Sequence, residues 1–501
     1  MTDVARGSAS LRAEGAPSPS LLAANGQWAG TPLLGPVAPF YATAPNPNAR
    51  RRMLLVFFYY APSAEVGALR WLSLTKFGAE RGWAVDVISL HPSFMGTLDT
   101  NRLTQLPRGV RLFGFSGIEP GWYRGLVRAW RRTRRGSLAR TAGSGMTGHL
   151  DGSDLTVGLA GHDAPAWRRA FRSRMHFRLA DTLSQRAIDV GRALTRTNSY
   201  DLVVSSGPPH AAHDAARIIA TEAMVPFVMD MRDPWSDDEA MPEEMRSDAW
   251  RRAAREHEQR CVSAAKLVVV TSRAHEELQV RTFPFLQGHV ATVMNGADND
   301  PLPEPRVGTR FVIAFAGMIY LGRNPRALFR AAARVARETQ ARPEDFAVEF
   351  MGDDTCAGVP LQAIADEEGL GKHFHAHGFR PRSDVLDFLS GASLLVSLPL
   401  RTTMTLPAKL FEYMRFDAWL LALAEKGSAT ADLLHDTGAD VVEPEDDATI
   451  ARVIRKRFDE FRAGVRPQAL NRDGRFDRAV QSARLFDLLD EVAGRGDASK
   501  R

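Results

Sequence analysis

Short, continuous apolar runs recur along this chain, and each leads through a loop into a stretch of helical periodicity. The first run is MLLVFFYY at 53–60, followed by an amphipathic stretch at 69–81 and a second run at 84–90. Strands that are buried on both faces of a parallel sheet read as such runs, and parallel neighbours need a crossover connection, usually a helix. The pattern predicts βαβ units whose loops lie at the carboxyl ends of the strands, where open α/β sheets bind ligands.

The same order of elements returns in the second half of the chain. Apolar runs at 311–319 and 394–398 alternate with helical stretches, and a Pro-rich linker at 301–305 precedes them. The sequence therefore predicts an α/β protein with two doubly wound, Rossmann-like domains facing across a cleft. We predict a disordered extension at 1–50, a first domain at 51–300 with a flexible basic and Gly-rich insertion at about 121–165, a second domain at 301–470, and a C-terminal helix within 471–501 that packs back on the first domain.

Composition indicates a reducing, aqueous compartment. The 501 residues include two cysteines, Cys261 and Cys356, which form no metal-binding spacing and are expected to be free thiols. No apolar run approaches the ~20 residues of a membrane span, and the N-terminus lacks the apolar core of a signal peptide. We therefore expect a cytoplasmic protein. The net charge of +5 suits an acidic ligand or an anionic membrane surface without deciding between them.

A basic, aromatic segment interrupts the first half of the chain. Residues 121–140 carry seven arginines interleaved with Trp122, Tyr123 and Trp130, and a Gly-rich tract follows. Amphipathic helices of this composition bind anionic lipid, so peripheral contact with the inner face of the plasma membrane is one expectation. The alternative is a solvated basic helix with one packed face. Nucleic acid is disfavoured as a partner because no recognition motif is present.

The stretch 394–426 contains the most informative cation. It reads as a buried strand, a polar loop, a short helix with Thr405 as N-cap and Pro407 in its first turn, and a second buried strand. Lys409 and Glu412 are then neighbours on one helix face. A cation near a helix N-terminus opposes the helix dipole, which favours a phosphate bound between them, with Glu412 accepting from a sugar hydroxyl. The alternative is a surface ion pair between the two side chains.

Two further clusters follow buried strands in the first half. His210 and His213 are predicted on one face at the start of a helix, whose dipole favours a neutral imidazole that can orient a hydroxyl. The next strand ends in Asp230, Arg232 and Asp233. Arg232 and Asp233 are candidates for holding substrate, whereas Asp230 is expected to brace the loop.

The first βαβ loop argues against a dinucleotide cofactor. It lacks the G-x-G-x-x-G fingerprint and contains Gly67 alone, so a nicotinamide or flavin dehydrogenase is disfavoured. Asp298 and Asp300 have the spacing of a metal motif but lie in a linker turn, and the pair at 353–354 is expected to cap a strand end. We therefore expect neither a metal ion nor a resident cofactor.

Seven motifs in this order resemble those of retaining glycosyltransferases of the GT-B fold, family 4. Each motif is weak alone, but their combination and order are specific, and they cover about residues 53 to 493. The motifs are FFYYAPSAEVGALRW, SSGPPHAAHDAAR, VMDMRDPW, VMNGADND, FAGMIYLGRNPRALFRAA, HGFRPRSDVLDFLSGASLLVSLP and LPAKLFEYMRFDAWLLAL.

The resemblance implies that the second domain binds a nucleotide-diphosphate sugar as donor substrate. It implies that the first domain binds the acceptor, which is lipid-linked or a glycan. By the same resemblance, Glu412 binds the ribose hydroxyls and Arg380 lies near the base. Lys409, Arg323 and Gly67 lie near the diphosphate, and the two cations stabilise it as it leaves. Gly317 begins the loop under the phosphates, and His210 or His213 faces the acceptor.

The chain departs from the family pattern at two positions. Met404 stands eight positions before Glu412, where the family has an acidic residue near the transferred sugar. Met318 replaces a basic residue, so Arg323 is expected to carry more of the phosphate charge, with help from Lys409. The resulting hypothesis is metal-independent transfer of a hexose-type sugar with retention, in the synthesis of a cell-surface polysaccharide or glycolipid. The alternatives are a GT-B-fold nucleotide-sugar epimerase or hydrolase and a non-catalytic nucleotide-sugar-binding partner.

Overall fold

The computed structural model describes residues 37–65, 67–117, 166–239, 247–298, 300–306, 308–319, 323–356, 358–398 and 403–498. These residues form two compact units. The first unit comprises the described residues of 37–117, 178–205 and 211–226, and the second comprises those of 166–177, 206–210 and 227–498. The predicted domain boundary at residue 300 lies within the second unit and stays a prediction.

Strands and helices alternate along the chain, as the apolar runs predict. The strands are β1 (Tyr41–Ala42), β2 (Arg51–Val56), β3 (Trp83–Leu90), β4 (Val110–Phe115), β5 (Leu202–Gly207), β6 (Phe227–Met231), β7 (Leu267–Val270), β8 (Val290–Thr292), β9 (Phe311–Gly317), β10 (Phe346–Gly352), β11 (Thr355–Cys356), β12 (Val359–Pro360), β13 (Phe374–Ala376), β14 (Leu394–Ser397), β15 (Trp419–Leu423) and β16 (Asp440–Val442). The helices are α1 (Ala68–Glu80), α2 (Asn101–Thr104), α3 (Ala166–Thr197), α4 (Ala211–Ala223), α5 (Asp248–Ala264), α6 (Arg273–Thr282), α7 (Arg326–Thr339), α8 (Leu361–Glu367), α9 (Arg382–Ser390), α10 (Ala408–Tyr413), α11 (Ala429–Leu434), α12 (Asp447–Arg462) and α13 (Arg478–Ala498).

The first unit is built on strands in the order β1-β4-β3-β2-β5. Strand β2 lies between β3 and β5 and is parallel to both, with Leu54 opposite Asp86 on one side and Val203 on the other. Residues 53–56 are fully buried because helices cover both faces of an interior parallel strand. The continuous apolar run is therefore an interior strand, as predicted, and it ends at Val56.

The N-terminal extension is shorter than predicted. Residues 37–50 are not disordered, since β1 pairs antiparallel with β4 and places Tyr41 opposite Leu112. Phe40 is fully buried, and the Tyr41 hydroxyl donates to the Leu103 carbonyl at 3.0 Å. An aromatic anchor and backbone hydrogen bonds to a sheet edge stabilise a segment whose composition alone predicts disorder. Residues 1–36 lie outside the described part of the chain.

The second unit contains the parallel strands β6, β7 and β8, which are neighbours in that order. The helices between them start at serine caps, as their sequences favour. Ser247 accepts a hydrogen bond from the Trp250 amide at the start of α5, and Ser272 accepts one from the His275 amide at the start of α6. These caps set where each helix leaves the preceding loop.

A six-stranded parallel sheet completes the second unit, in the order β13-β10-β9-β14-β15-β16. Its central strand β9 alternates large and small side chains between the two faces. Phe311 and Phe315 belong to an apolar cluster with residues of α7 and α12, whereas Ala314 and Ala316 belong to a cluster with residues of α10. Since alanine takes little space, α10 packs close to the backbone of β9.

The C-terminal helix α13 is attached to the segment that follows β8. The Arg478 amide donates to the Ala297 carbonyl at 2.8 Å, and the Gln481 side chain accepts from the Met294 amide at 3.0 Å. Both partners belong to the region predicted as the first domain. The contact agrees with a helix that returns to that region, while the full domain assignment stays a prediction.

Among the helices in the described residues, none is both long enough and apolar enough to cross a bilayer. The predicted lipid-binding insertion at 121–165 lies outside the described residues, so membrane contact stays a prediction. The predicted α/β class, with mainly parallel sheets and helices in the connections, is confirmed.

Candidate functional site

The six-stranded sheet has a topological switch point between β9 and β14. From β9 the chain moves outward to β10 and β13 on one side, and then to β14, β15 and β16 on the other. Open α/β sheets bind ligands outside the carboxyl ends of the strands at such a point. Here β9 ends at Gly317, and α10, which connects β14 to β15, carries Lys409 and Glu412.

Helix α10 begins later than predicted. Its first residue is Ala408, and Pro407 is the N-cap residue with ψ of 125°. Thr405 therefore precedes the helix and does not cap it, because the extended backbone at Pro407 separates the two. A helix of six residues is too short for its dipole to define an anion site. The case for Lys409 consequently rests on its side-chain contacts.

Lys409 points at the end of β9. Its Nζ donates to the Ala316 carbonyl at 2.7 Å and lies 4.1 Å from the centroid of the Phe315 ring. Burial, and then the positive charge of Arg323, lower the pKa of Lys409 to about 7, against the opposing effect of two nearby carboxylates. Because the positive charges of Lys409 and Arg323 repel each other, an anion that binds beside them stabilises both.

Gly317 and Gly352 end neighbouring strands and leave room for this lysine. They are paired in the register of β9 and β10, with φ of +130° and +131°. A Cβ on Gly317 would lie 2.2 Å from Lys409 Nζ, and a Cβ on Gly352 would lie 2.4 Å from the Gly317 carbonyl oxygen. Glycine is required at both positions by backbone conformation and by space. The predicted start of the phosphate loop is thus the place that the lysine nitrogen contacts.

The Asp353 side chain, which follows β10, anchors the start of the loop after β9. Its carboxylate accepts from the Ile319 amide at 2.7 Å, as expected of a strand-end cap. Arg323 is almost fully buried and donates to the Met318 carbonyl at 2.7 Å, so it reaches back across the same loop. Met318 itself is half exposed. The loop therefore places a guanidinium beside the lysine even though the basic residue expected at position 318 is missing.

Glu412 forms an ion pair with Arg382, the first residue of α9, in which Nη2 of the arginine contacts Oε1 of the glutamate. Lys409 and Glu412 thus contact different partners, and the alternative of a surface ion pair between them does not describe the structure. Sequence analysis did not identify Arg382. The two residues are separated by 30 positions, and only the packing of α9 beside α10 brings them together.

Tyr413 is a second residue that sequence analysis missed. Its hydroxyl accepts from the Ala316 amide at 2.8 Å and donates to the Ala316 carbonyl at 3.1 Å. Burial raises the pKa of Tyr413, so the phenol remains neutral. The Tyr413 hydroxyl thus fixes α10 to the end of β9, and both Tyr413 and Lys409 donate to the Ala316 carbonyl. The only signal in the sequence is its place one residue after Glu412.

The segment before α10 is anchored by two side chains from other parts of the second unit. Ser272 donates to the Met404 carbonyl at 2.5 Å. Glu239 accepts from the Thr403 amide at 2.5 Å and from its hydroxyl at 3.0 Å. Although position 404 lacks an acid, a carboxylate therefore lies one residue away. Sequence analysis missed Glu239 because this contact spans 164 positions.

The two candidate histidines have different environments. Helix α4 begins at Ala211, so His210 precedes the helix and does not share a helical face with His213, contrary to the prediction. His213 is fully buried in the first unit, with Nδ1 2.7 Å from the Ser205 hydroxyl. His210 belongs to the second unit and stacks on Trp235 with ring centroids 4.7 Å apart. Burial favours a structural role for His213, and which histidine faces the acceptor stays a prediction.

The charged cluster at the end of β6 contacts the end of β5. Asp230, which lies within β6, is buried and accepts from the hydroxyl of Ser206 in β5 at 2.8 Å, so it joins two strands and does not brace the loop after β6 as predicted. Arg232 donates to the carbonyls of Gly207 and Pro208. Desolvation raises the pKa of Asp233, with Asp230 adding to the shift and Arg232 opposing it. The substrate-binding roles of Arg232 and Asp233 stay predictions.

The remaining candidates lie at loop positions. Gly67 is the N-cap residue of α1 in the first unit, in helical conformation. Arg380 is exposed and follows Gly378, whose carbonyl accepts from the Gly352 amide at 3.0 Å. The predicted contacts of Gly67 with the diphosphate and of Arg380 with the base stay predictions.

Within the described ranges, no group of three or more His, Cys, Asp or Glu side chains is arranged to hold a metal ion. Asp298 pairs with Arg478 at 3.2 Å, and Asp300 lies 4.0 Å from Arg382. The acidic residues of the linker turn thus face arginines. Whether the chemistry needs a metal ion stays a prediction.

Comparisons with known proteins identify solved structures that have a similar fold. No protein-family model and no curated protein matches the chain. Among solved structures, it is similar to sucrose-phosphate synthase from Thermosynechococcus elongatus, with a TM-score of 0.55 and 14% identity over 89% of this chain and 100% of that one. It is also similar to HepE from Anabaena in complex with UDP and glucose, with a TM-score of 0.51 and 14% identity over 88% and 100%.

A third similar structure is α,α-trehalose 6-phosphate synthase from Burkholderia multivorans, with a TM-score of 0.53 and 13% identity over 90% of this chain and 99% of that one. These proteins are GT-B enzymes with two Rossmann-like domains, and the likeness extends over nearly the whole chain. The predicted GT-B fold is therefore confirmed. At this level of identity, the likeness establishes the fold alone.

Proposed function

We propose that the protein is a metal-independent, retaining glycosyltransferase of family 4. It transfers a sugar from a nucleotide-diphosphate donor to a lipid-linked or glycan acceptor. The observation that carries the proposal is the pair of cations, Lys409 and Arg323, at the carboxyl end of β9 beside the switch point, with the Glu412 carboxylate one helical turn away. This arrangement matches a diphosphate followed by a ribose.

The proposed chemistry depends on stabilising the leaving group. The bond between the anomeric carbon and the diphosphate oxygen breaks, the oxygen of the acceptor hydroxyl forms the new glycosidic bond on the same face of the sugar, and the hydroxyl proton passes to the departing diphosphate. Negative charge grows on the departing diphosphate as its bond lengthens. Lys409 and Arg323 offer fixed positive charge to it, and preorganised charge of this kind lowers barriers by several kcal/mol in a water-excluded site.

Two observations support this function over a purely structural reading of the cations. Lys409 and Arg323 are held near each other at a cost, since burial and mutual repulsion lower the pKa of the lysine. One of the similar structures, HepE, is a complex with UDP, which makes a uridine nucleotide the first donor to test. The proposed setting is the synthesis of a cell-surface polysaccharide or glycolipid, on the cytoplasmic side of the membrane.

Donor turnover tests the proposal. We expect the full chain to release a nucleoside diphosphate from one member of a panel of UDP-, GDP-, ADP- and TDP-sugars, and only when an acceptor is supplied. A polyprenol-linked saccharide and a membrane lipid extract are the acceptors to use. The rate should be unchanged by EDTA, and NMR of the product should show the anomeric configuration of the donor.

The other outcomes identify the alternatives. Conversion of the nucleotide sugar without an acceptor would indicate an epimerase or a hydrolase. Binding without turnover under any condition would indicate a non-catalytic partner. An inverted product, or a rate abolished by EDTA, would contradict the retaining or the metal-independent part of the proposal.

Affinity for the nucleoside diphosphate should depend on pH through Lys409. The lysine binds the anion in its protonated form, and its pKa of about 7 in the free protein means that binding above pH 7 must take up a proton. We expect affinity to fall from pH 7 to pH 9, by up to about tenfold per pH unit, as for linkage to one proton. Isothermal titration calorimetry across this range measures the effect.

The Lys409→Met variant is the control for this pH dependence. The charge of the nucleotide is nearly constant above pH 7, since the last phosphate pKa lies near 6. The variant should therefore bind more weakly at pH 7 but with an affinity that hardly changes up to pH 9. Equal pH dependence in both proteins would assign the titration to another group.

A further inference from the structure

The ion pair between Arg382 and Glu412 has a geometry that suggests more than surface stabilisation. Arg382 is the first residue of α9, and its Nη2 contacts Oε1 of Glu412 in α10. The Glu412 side chain is 19% exposed, whereas that of Arg382 is 52% exposed. The arginine therefore reaches inward from a solvent-exposed position to a carboxylate that is largely enclosed.

The closest contact of the pair joins Nη2 of Arg382 to Oε1 of Glu412. Among the described residues, no hydrogen bond to Oε2 of Glu412 is found, so this oxygen is an acceptor for a ligand. The guanidinium also lies 4.0 Å from the Asp300 carboxylate, so two acidic groups hold it in place. An arginine held in this way fixes both the charge and the orientation of the carboxylate that it contacts.

We infer that Arg382 is a positioning residue that orients Glu412 for the ribose of the donor nucleotide. The inference rests on the proposed function and goes beyond it by assigning the selectivity for a ribose diol to an arginine outside α10. With Oε1 held by Arg382, Oε2 of Glu412 accepts hydrogen bonds from the ribose hydroxyls. A ribose cis-diol offers two donors, and a charged acceptor held in one orientation discriminates strongly against an analogue that lacks them.

The effect of removing Arg382 on nucleotide selectivity can be measured separately from its effect on folding. A partly exposed ion pair contributes little to stability, so removal of Arg382 should leave the fold intact. Glu412 would then keep its charge but rotate among several side-chain conformations. The loss should appear as weaker selection for the ribose hydroxyls, while contacts with the diphosphate through Lys409 and Arg323 are unaffected.

The test compares a ribonucleotide with its 2′,3′-dideoxy counterpart. The tightest binder of UDP, GDP and ADP is identified for the wild-type chain, and both forms of that nucleotide are titrated by calorimetry. We expect the wild type to prefer the ribonucleotide by at least tenfold, and Arg382→Met to prefer it by less than threefold. Affinity for the dideoxy form should change by less than twofold. Arg382→Lys, which keeps the charge, should be intermediate.

Arg306→Met is the matched control. Arg306 is another exposed arginine that pairs with a residue of α9, Asp387, at 3.1 Å. Its removal should leave the preference for the ribonucleotide at the wild-type value. Thermal unfolding of each variant checks the fold.

The outcomes distinguish this inference from the proposed function. If the wild type binds a nucleoside diphosphate but Arg382→Met retains its preference for the ribose, the inference is overturned. It is also overturned if Arg382→Met weakens the ribonucleotide and the dideoxy form equally, since that result indicates a general structural role. If the wild type binds none of UDP, GDP, ADP and TDP, the proposed function itself fails and the inference fails with it, whereas binding of TDP alone overturns only the inference. If Arg382→Met fails to fold, Arg382→Lys decides: a preference for the ribonucleotide below that of the wild type supports the inference, and a preference equal to that of the wild type overturns it.

Discussion

Replacement of Lys409 by Met is expected to lower kcat/KM for the donor by about 100-fold or more, because it removes a preorganised donor from the site where charge develops. Lys409 is the residue whose ammonium group lies at the end of β9, bonded to the Ala316 carbonyl at 2.7 Å. Methionine keeps the length and the apolar stem, so packing against the Phe315 ring is preserved. Steady-state kinetics with the donor identified by the panel measures the loss.

Two further variants make this result specific. Lys409→Arg keeps the charge but should restore little activity, since Nζ lies only 2.2 Å from where a Cβ on Gly317 would be and a larger guanidinium does not fit there. Lys372→Met removes an exposed lysine in a 3-10 turn at Gly371–His373 and should leave kcat/KM within twofold of the wild type. A Lys409→Met enzyme with near wild-type turnover would contradict the assignment of the phosphate site.

The second large effect concerns stability. Replacement of Asp86 by Ala is expected to lower the free energy of unfolding by about 2–4 kcal/mol, because it leaves a charge and a hydroxyl without their acceptor. Asp86 lies in β3 and is almost fully buried. It accepts from Arg111 Nε at 2.7 Å and from the Tyr200 hydroxyl at 2.6 Å. Burial raises the pKa of Tyr200, and the neighbouring carboxylate of Asp86 adds to the shift, so the phenol stays protonated and donates the hydrogen bond.

Urea unfolding of the full chain measures this effect. Asp86→Asn should be less damaging than Asp86→Ala, since the amide oxygen still accepts from Tyr200 while the charge that Arg111 requires is lost. Asp189→Ala is the control, because Asp189 is exposed and pairs with Arg192 at 3.6 Å; its removal should change the free energy by less than about 0.5 kcal/mol. Equal effects of Asp86→Ala and Asp189→Ala would show that the buried network contributes nothing specific.

Several parts of the candidate site could be predicted from local sequence. Gly317 ends β9 with a positive φ that only glycine adopts readily, while its place under the phosphates, which the family resemblance implies, stays a prediction. Asp353 was expected to cap a strand end, and it accepts from the Ile319 amide. Asp230 was expected to have a structural role, although its partner Ser206 lies in β5 and not in the loop after β6. Each of these residues lies at or near the end of a strand, where residue type and position carry the information.

Other expectations failed where local patterns compete with packing. Thr405 resembles an N-cap, but the chain stays extended at Pro407 and the helix starts at Ala408. The spacing of His210 and His213 suggests one helical face, yet the helix begins after His210 and only His213 is buried. A propensity for a cap or a face is worth about 1 kcal/mol, which tertiary packing readily overrides.

The order of apolar runs and helical stretches determined the class of fold, because strand burial and helix periodicity are properties of neighbouring residues. The sequence by itself thus determined that β9 and β14 are interior parallel strands and that α10 carries a lysine and a glutamate. Only the tertiary structure decided the partners of those side chains: Ala316 for Lys409 and Arg382 for Glu412. The physical reason is that these contacts join residues 93 and 30 positions apart, and the packing of α9 and α10 against the sheet, rather than any local pattern, brings them within bonding distance.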